Sequence, residues 1–204
     1  MVHKNSGVTL IELLVALALS GILMAALYRV FIGGQRVYTV QEQVVDMQQS
    51  ARAAMDRMTR EIRMSGYRKD ILVSQGNIGG FTQVITPGDN VNNIGTYDDR
   101  ITIIVADKAI TYRLQWSGTD PEMPVLVRDE NGATEVLADN IEALQFTYTL
   151  RNGTTLDSPS SPDDIRMVRV SFTARTRAAD PHLSGDGFRR RRLSSFATVR
   201  NTSS

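Results

Sequence analysis

Apolar residues dominate the beginning of the chain. Residues 1–7 (MVHKNSG) are short and polar, and residues 8–32 then have the sequence VTLIELLVALALSGILMAALYRVFI, without a charge between Leu13 and Tyr28. A helix of this length would extend roughly 38 Å, which exceeds the apolar core of a bilayer. The segment therefore predicts a membrane-spanning helix, and Lys4 ahead of it favours a cytoplasmic N-terminus with the rest of the chain in the periplasm.

The pattern becomes amphipathic after the apolar segment. Apolar residues recur at steps of three or four, which is typical of a helix with one buried face. No proline occurs before Pro87, and Ser65-Gly66 is a credible helix end. These features predict one helix over residues 8–66 whose later part packs against a sheet. The stripe consists of Val37, Val40, Val44, Met47, Ala51, Met55, Met58 and Ile62.

The remainder of the chain changes to a two-residue period. Residues 67–100 are rich in Gly, Asn and Asp and predict a loop region with one short strand at residues 81–85. Residues 101–204 alternate between apolar and polar positions, and Asn131-Gly132 and Asn152-Gly153 are hairpin turn signals. The prediction is an α+β fold, in which a long N-terminal helix packs on an antiparallel β-sheet. The expected strands are 101–105, 110–116, 125–128, 134–138, 144–150, 168–172 and 193–200.

The composition argues against catalysis. The chain has no cysteine and two histidines, so thiol catalysis, thiolate metal sites and disulfides are excluded. Three acidic segments, 89–93, 98–99 and 157–164, lack the ligand spacing of a calcium loop and are expected to be solvated. We therefore expect a protein that is not an enzyme and has no cofactor or metal.

Glu12 interrupts the apolar segment near its start. An ionised carboxylate in that position is costly and is by default functional, with a positive partner at the same depth. Cleavage before Val8 would create such a partner, because the new α-amino group would lie about one helical turn from Glu12. In two subunits staggered by about a turn, the amine of one could pair with Glu12 of the other. This pair would also set their register.

The string from Ser6 to Leu14 resembles the type IV prepilin signature, a polar leader ending in glycine followed by an apolar helix with glutamate at its fifth residue. The resemblance implies that a prepilin peptidase/methyltransferase cleaves after Gly7 and methylates Val8. It also implies that Glu12, with Thr9 beside it, acts in assembly. The family usually has Phe at the position of Val8.

The family's major pilins usually have a proline further along the helix. Residues 28–30 of this chain have the sequence Tyr-Arg-Val, so the pair Gly33-Gly34 is the candidate for flexibility instead.

The end of the helix narrows the resemblance. Residues 63–67 (RMSGY) resemble the helix end of PilW-type minor pilins, whereas the related pseudopilin J of type II secretion shares the helix plan but usually has a less similar helix end. Residues 137–148 and residues 199–201 resemble both groups. This implies a subunit whose residues 8–32 lie in the inner membrane and then in the filament core. Its implied partners are the lipid bilayer, the assembly platform of the inner membrane, and other pilins and minor pilins. Its implied role is assembly initiation or the tip of a type IV pilus, with the secretion pseudopilin as the alternative.

Two other interpretations of the N-terminus do not involve a prepilin. An uncleaved signal anchor would explain the apolar segment and Lys4, and a secretory signal peptide would be cut after Ser20. Neither explains Glu12 within the prepilin-like string.

A further alternative concerns the basic run Arg189, Arg190, Arg191 and Arg192. These side chains could hold DNA phosphates, although such a run is more often a solvated face or a protected sheet edge. The formal net charge of +1 gives no general support for nucleic acid binding.

Overall fold

The computed structural model describes residues 9–88, 99–117 and 120–199. The chain divides into two compact units, Met1–Glu42 and Gln43–Ser204, and helix α1 (Leu10–Arg63) begins in the first and ends in the second. One long N-terminal helix followed by antiparallel sheets is an α+β, type IV pilin-like arrangement, so the predicted fold class is confirmed. The predicted cleavage site at Gly7 and Val8 lies outside the described residues.

In the first unit, α1 presents apolar side chains to the surroundings. Every large apolar residue from Leu10 to Phe31 exposes more than half of its surface. Gly33 and Gly34 lie within the helix, so the pair proposed as a flexible point is helical. So large an apolar surface is typical of a segment covered by lipid or by other helices.

In the second unit, the predicted apolar stripe of α1 is buried. Thr59 is buried beside the stripe, and its hydroxyl donates a hydrogen bond to the Met55 carbonyl at 2.9 Å. The second half of α1 is therefore a core helix, as predicted. The stripe residues with at most 8% exposure are Met47, Ala51, Met55, Met58 and Ile62, with Ala54 as an additional member.

The strands form two antiparallel sheets instead of one. The first has the order β1-β2-β3-β4-β5 and the second the order β7-β6-β8-β9, and both share one core with α1. The first sheet contains β1 (Ile85–Gly88), β2 (Arg100–Val105), β3 (Lys108–Ser117), β4 (Asp120–Glu130) and β5 (Ala133–Ala138). The second contains β6 (Ile141–Leu150), β7 (Thr155–Leu156), β8 (Ile165–Arg175) and β9 (Arg190–Thr198).

The segment 67–100, predicted as loop, contains a short helix. Helix α2 (Lys69–Gln75) ends at Gly76, whose positive φ of 77° allows its N–H to donate to the Leu72 carbonyl at 2.9 Å. The buried Leu72 and the partly buried Ile71 tie this helix to the core, and two adjacent apolar residues produce no periodic signal. The strand expected at residues 81–85 instead begins at Ile85.

Strand β9 also begins earlier than predicted. The apolar alternation starts at Leu193, but β9 starts at Arg190 because β8 extends to Arg175 and pairs with it in register. Three arginines of the basic run therefore belong to an edge strand of the second sheet.

Asp99, expected in a solvated loop, is buried with 4% exposure. Its backbone N–H donates to the Leu144 carbonyl at 3.1 Å, and its Oδ2 accepts the Phe146 N–H at 2.7 Å. The residue precedes β2 of the first sheet and bonds to β6 of the second. Its side chain satisfies a backbone group that would otherwise be buried without a partner. The expectation of solvation was wrong for Asp99, whereas Asp98 lies outside the described residues.

We expect Asp99→Ala to lower the free energy of unfolding by about 1–3 kcal/mol, because it leaves the buried Phe146 N–H unsatisfied. Asp99→Asn is the matched control, since it keeps an acceptor oxygen and should lose clearly less. The measurement is the urea midpoint of the purified full-length chain in detergent. Equal midpoints for wild type and Asp99→Ala would contradict the bridging role.

Candidate functional site

Thr9 and Glu12 form a capping box at the start of α1. The Thr9 backbone N–H and the Thr9 hydroxyl each donate to Glu12 Oε2 at 2.9 Å. In return, the Glu12 N–H donates to Thr9 Oγ1 at 3.4 Å. The first backbone N–H groups of a helix lack intrahelical partners, and this arrangement satisfies two of them.

The capping box also places the Glu12 carboxylate in the first turn of α1. A carboxylate in the first turn of a helix interacts favourably with the helix dipole, so its position is stabilising even before any partner arrives. The carboxylate is consequently held at the first turn of the exposed apolar helix. Thr9, predicted only as a neighbour in assembly, is the residue that holds it. The spacing Thr-x-x-Glu before an apolar run is the sequence signal for this cap.

The same helix satisfies the requirements for crossing a membrane. Within the described residues, α1 is the one helix long and apolar enough to cross by length and composition, and the most apolar 18-residue part has a mean hydropathy of 2.5. A structural candidate site therefore exists at this end, made of Thr9, Glu12 and the apolar surface that follows.

The other end of α1 carries a buried polar network that the sequence did not indicate. Glu61 Oε2 accepts hydrogen bonds from the Tyr112 hydroxyl on β3 and from Arg128 Nε on β4, the latter at 3.0 Å. Arg128 Nη2 also donates to Glu130 at 2.5 Å. Burial, and then the hydrogen bond to Glu61, raise the pKa of Tyr112 above its usual value. The hydroxyl therefore stays protonated and acts as a donor.

Further ion pairs extend this network along the surface. Arg57 Nη1 lies 2.6 Å from Glu135 Oε1, and Lys108 Nζ lies 2.5 Å from Glu130 Oε1. The Arg57 guanidinium lowers the pKa of Glu135. The hydrogen bonds from Lys108 and then Arg128 lower the pKa of Glu130. The contacts of Arg57 and Glu61 join α1 to the first sheet, whereas the pair Lys108–Glu130 joins β3 to β4.

The basic run is partly neutralised by the chain's own carboxylates. Arg189 Nη2 lies 2.8 Å from Asp180 Oδ2, and Arg190 Nε lies 2.7 Å from Glu142 Oε2. Arg190 also pairs with Asp186, and Arg192 Nε donates to Ser171 Oγ at 2.9 Å. The hydrogen bonds from Arg190, and then from the Phe188 N–H, lower the pKa of Asp186. DNA contact through this run stays a prediction.

The acidic candidates do not come together as a metal site. Asp163 and Asp164 lie exposed in a 3-10 turn, and Asp157 accepts a hydrogen bond from Thr147 Oγ1 at 3.2 Å. In the part of the chain that the structure describes, no three His, Asp or Glu side chains are grouped so that they could hold a metal ion. The segment 89–93 lies outside that part.

Comparison with known proteins indicates the class of protein to which the chain is similar. Residues 2–28 match the family described as the prokaryotic N-terminal methylation motif, which indicates a type IV pilin-like or pseudopilin protein. The motif implies processing by a prepilin peptidase and assembly with other pilins, and proteins with it are structural subunits. Together with the apolar helix, it fits a pilin anchored in the inner membrane. No curated protein and no solved structure matches the chain significantly.

Proposed function

We propose that the chain is a minor pilin of a type IV pilus that contributes to assembly initiation or to the filament tip. The observation that supports a filament role is Glu12, the carboxylate that Thr9 holds in the first turn of an exposed apolar helix, inside the methylation motif. The minor-pilin assignment rests on the resemblance of residues 63–67 and 137–148 to PilW-type subunits.

In the precursor, residues 1–7 are the leader and residues 8–32 cross the inner membrane, with the β domain, residues 101–204, in the periplasm. Cleavage after Gly7 converts Val8 into the N-terminal residue, and methylation of its amine leaves the positive charge in place. The new amine then lies within about one turn of the Thr9–Glu12 cap.

Docking exchanges lipid contacts of α1 for contacts with neighbouring helices. Because lipid tails are as apolar as leucine, packing and polar contacts rather than the hydrophobic effect decide this exchange. The amine of one subunit paired with Glu12 of its neighbour supplies the polar contact. An unpaired carboxylate at that depth is costly, so the pair selects one register.

The type II secretion pseudopilin is the second candidate, because the motif and the helix-plus-sheet arrangement fit it equally. The two functions differ in the cellular defect they predict. Deleting the gene should abolish or reduce surface pili in the first case and secretion of folded exoproteins in the second.

Processing is the first test of the proposed function. We expect the intact mass of the membrane-extracted protein to show loss of residues 1–7 and gain of one methyl group only when a prepilin peptidase is co-expressed. A Gly7→Leu variant is the matched control and should stay uncleaved, because a bulky residue replaces the glycine at the cut. A full-length chain in both strains, or a cut after Ser20, would contradict the proposal.

A further inference from the structure

A pocket of about 230 Å³ lies on the outer face of the second sheet, over strands β6, β8 and β9. Side chains alternate along a strand, so this face of β8 is opposite to the one that buries Val170 and Phe172 in the core. Ala143 contributes only a methyl group to the lining, which leaves a recess between longer side chains. The polar side chains that line the recess are Glu142, Gln145, Ser171, Thr173 and Arg192.

A β-bulge in β6 shapes one rim of this pocket. The register between β6 and β8 shifts between Ile141 and Ala143, so Glu142 is an extra residue without a partner on β8. Bulges of this kind change the direction of a side chain. The Glu142 carboxylate pairs with Arg190 Nε at 2.7 Å and with Arg175 Nη1 at 3.4 Å. Its charge is therefore balanced, while a carboxylate has about four acceptor positions and can also accept a hydroxyl.

Arg192 forms the other rim and keeps most of its donors available. Its Nε donates to Ser171 Oγ at 2.9 Å, and Ser171 is only 7% exposed, so a buried hydroxyl fixes the direction of the guanidinium. Arg192 itself is exposed, and among the described residues neither of its Nη groups has an ion-pair or hydrogen-bond partner. Two donors of a planar guanidinium match the two oxygens of a carboxylate.

The floor of the pocket offers neutral polar groups. Gln145 and Thr173 are half-buried. In the part of the chain that the structure describes, neither side chain has a hydrogen-bond partner in the protein. A hydroxyl and an amide each donate and accept, which is what the hydroxyl groups of a sugar ring require. The pocket therefore suits a small ring that carries several hydroxyl groups.

The charges around the pocket select a ligand with one negative charge. Arg175 and Arg190 face Glu142 and Asp186, so these four groups balance and Arg192 supplies the excess positive charge. A carboxylate carries one charge, whereas a phosphate monoester carries about −1.5 to −2. A nucleic acid strand needs several available cations for its successive phosphates, and the two carboxylates beside the pocket would repel them. A sugar acid is the best match.

We infer that this pocket binds one residue of an acidic glycan, with the sugar carboxylate on Arg192 and ring hydroxyl groups on Gln145 and Thr173. The pocket is smaller than the roughly 300–1,000 Å³ that hold a drug-sized ligand, which fits a single ring of a chain. This site goes beyond the proposed function, because it needs only the folded second unit and no assembly. On a subunit at a filament tip, it would attach the filament to an acidic polysaccharide.

Titration with a defined oligosaccharide tests this site. The purified full-length chain in detergent is titrated with trigalacturonate and, separately, with its methyl ester, by isothermal titration calorimetry. The two probes share the sugar rings and hydroxyl groups, but the ester has no charge. We expect trigalacturonate to bind at least about tenfold more tightly than the ester, because a hydrogen bond to a charged group is about twice as strong as a neutral one.

A pair of neighbouring arginines provides matched variants. Arg192→Gln should weaken trigalacturonate binding at least about tenfold and leave ester binding within about twofold, because it removes the charge and keeps a polar side chain. Arg191→Gln is the control. Arg191 pairs with Ala174, which is buried, so its side chain lies on the other face of β9. This variant should bind both probes like the wild type, and equal urea midpoints verify that both variants are folded.

Three results would overturn this assignment. The first is no binding of trigalacturonate, and the second is equal binding of the acid and its ester. The third is a loss in Arg191→Gln as large as in Arg192→Gln, which would indicate general attraction to the basic run. A short single-stranded oligothymidylate that binds more tightly than trigalacturonate and depends on Arg192 would also overturn it, in favour of a nucleic acid site.

The test is separate from the test of the pilin function. Leader cleavage and methylation are measured by the mass of the chain, whereas glycan binding is measured on the folded second unit of the full-length chain. A processed chain that does not bind trigalacturonate refutes only the glycan site. An unprocessed chain that binds it refutes only the pilin function.

Discussion

Glu12→Ala will leave the protein in the membrane but remove it from filaments. The apolar helix remains, so insertion should continue, while in the proposed pair the α-amino group of a neighbouring subunit loses its carboxylate partner. Breaking one side of a buried charge pair costs about 3 kcal/mol, which corresponds to a roughly 100-fold loss of incorporation. The measurement compares the protein in sheared filaments with the protein in membranes by quantitative immunoblot.

The capping box makes controls for this result possible. Glu12→Gln removes the charge but keeps a residue that can accept the hydrogen bonds from Thr9, since Gln also serves in a capping box. Thr9→Ala keeps the charge and removes the cap, at a cost of about 1 kcal/mol. If the charge pair drives assembly, Glu12→Gln will fail like Glu12→Ala and Thr9→Ala will assemble nearly normally. The reverse order would mean that Glu12 acts through the helix start alone.

Arg128→Ala will destabilise the β domain by about 3 kcal/mol. The side chain of Arg128 is only 9% exposed, and its removal leaves the 19%-exposed Glu61 carboxylate without its principal cation. Removing one partner of such a pair lowers the free energy of unfolding by more than the intact pair contributes to it, because the remaining charge stays partly buried. The urea midpoint of the purified full-length chain in detergent, followed by circular dichroism, measures the loss.

Arg113→Ala is the matched control for this network. Arg113 Nε lies 2.8 Å from Asp129 Oδ2, but the two side chains are 26% and 22% exposed. More water reaches this pair, so its loss should cost at most about 1 kcal/mol. The double variant Arg128→Met, Glu61→Gln should recover much of the stability, since neither charge is then left alone. If Arg128→Ala and Arg113→Ala proved equally stable, the network would not hold α1 on the first sheet.

Part of this structure was predictable because its causes are local. The apolar stripe on α1 recurs with the helical period, and Asn131-Gly132 is the two-residue turn at which both residues have positive φ, 50° and 88°. The Thr9–Glu12 cap has a sequence signature of four residues. Such features need no information from distant parts of the chain. The stripe and the turn were predicted and are present, whereas the cap was recognised only in the structure, although its signature stands in the sequence.

Other features arise from residues far apart in sequence. Asp99 was expected in solvent, but the backbone N–H of Phe146 needs an acceptor at the junction of the two sheets. Helix α2 depends on Leu72 reaching the core. Arg190 became the start of β9 because Arg175 pairs with it. Each of these outcomes depends on a contact with a residue far away in the sequence. No local sequence pattern indicates which residue that will be.

The sequence by itself determined the class of this protein through a short polar start, an apolar helix with one carboxylate in its first turn, and an amphipathic continuation before a β-rich domain. These properties follow from periodicity and from local hydrogen bonding, which act within a few residues. The tertiary structure alone decided the division into two sheets, the anchoring of Glu61 by Tyr112 and Arg128, and the ion pairs that hold Arg189 and Arg190 of the basic run. Burial brings these groups together across tens of residues, and only the folded chain defines which of them meet.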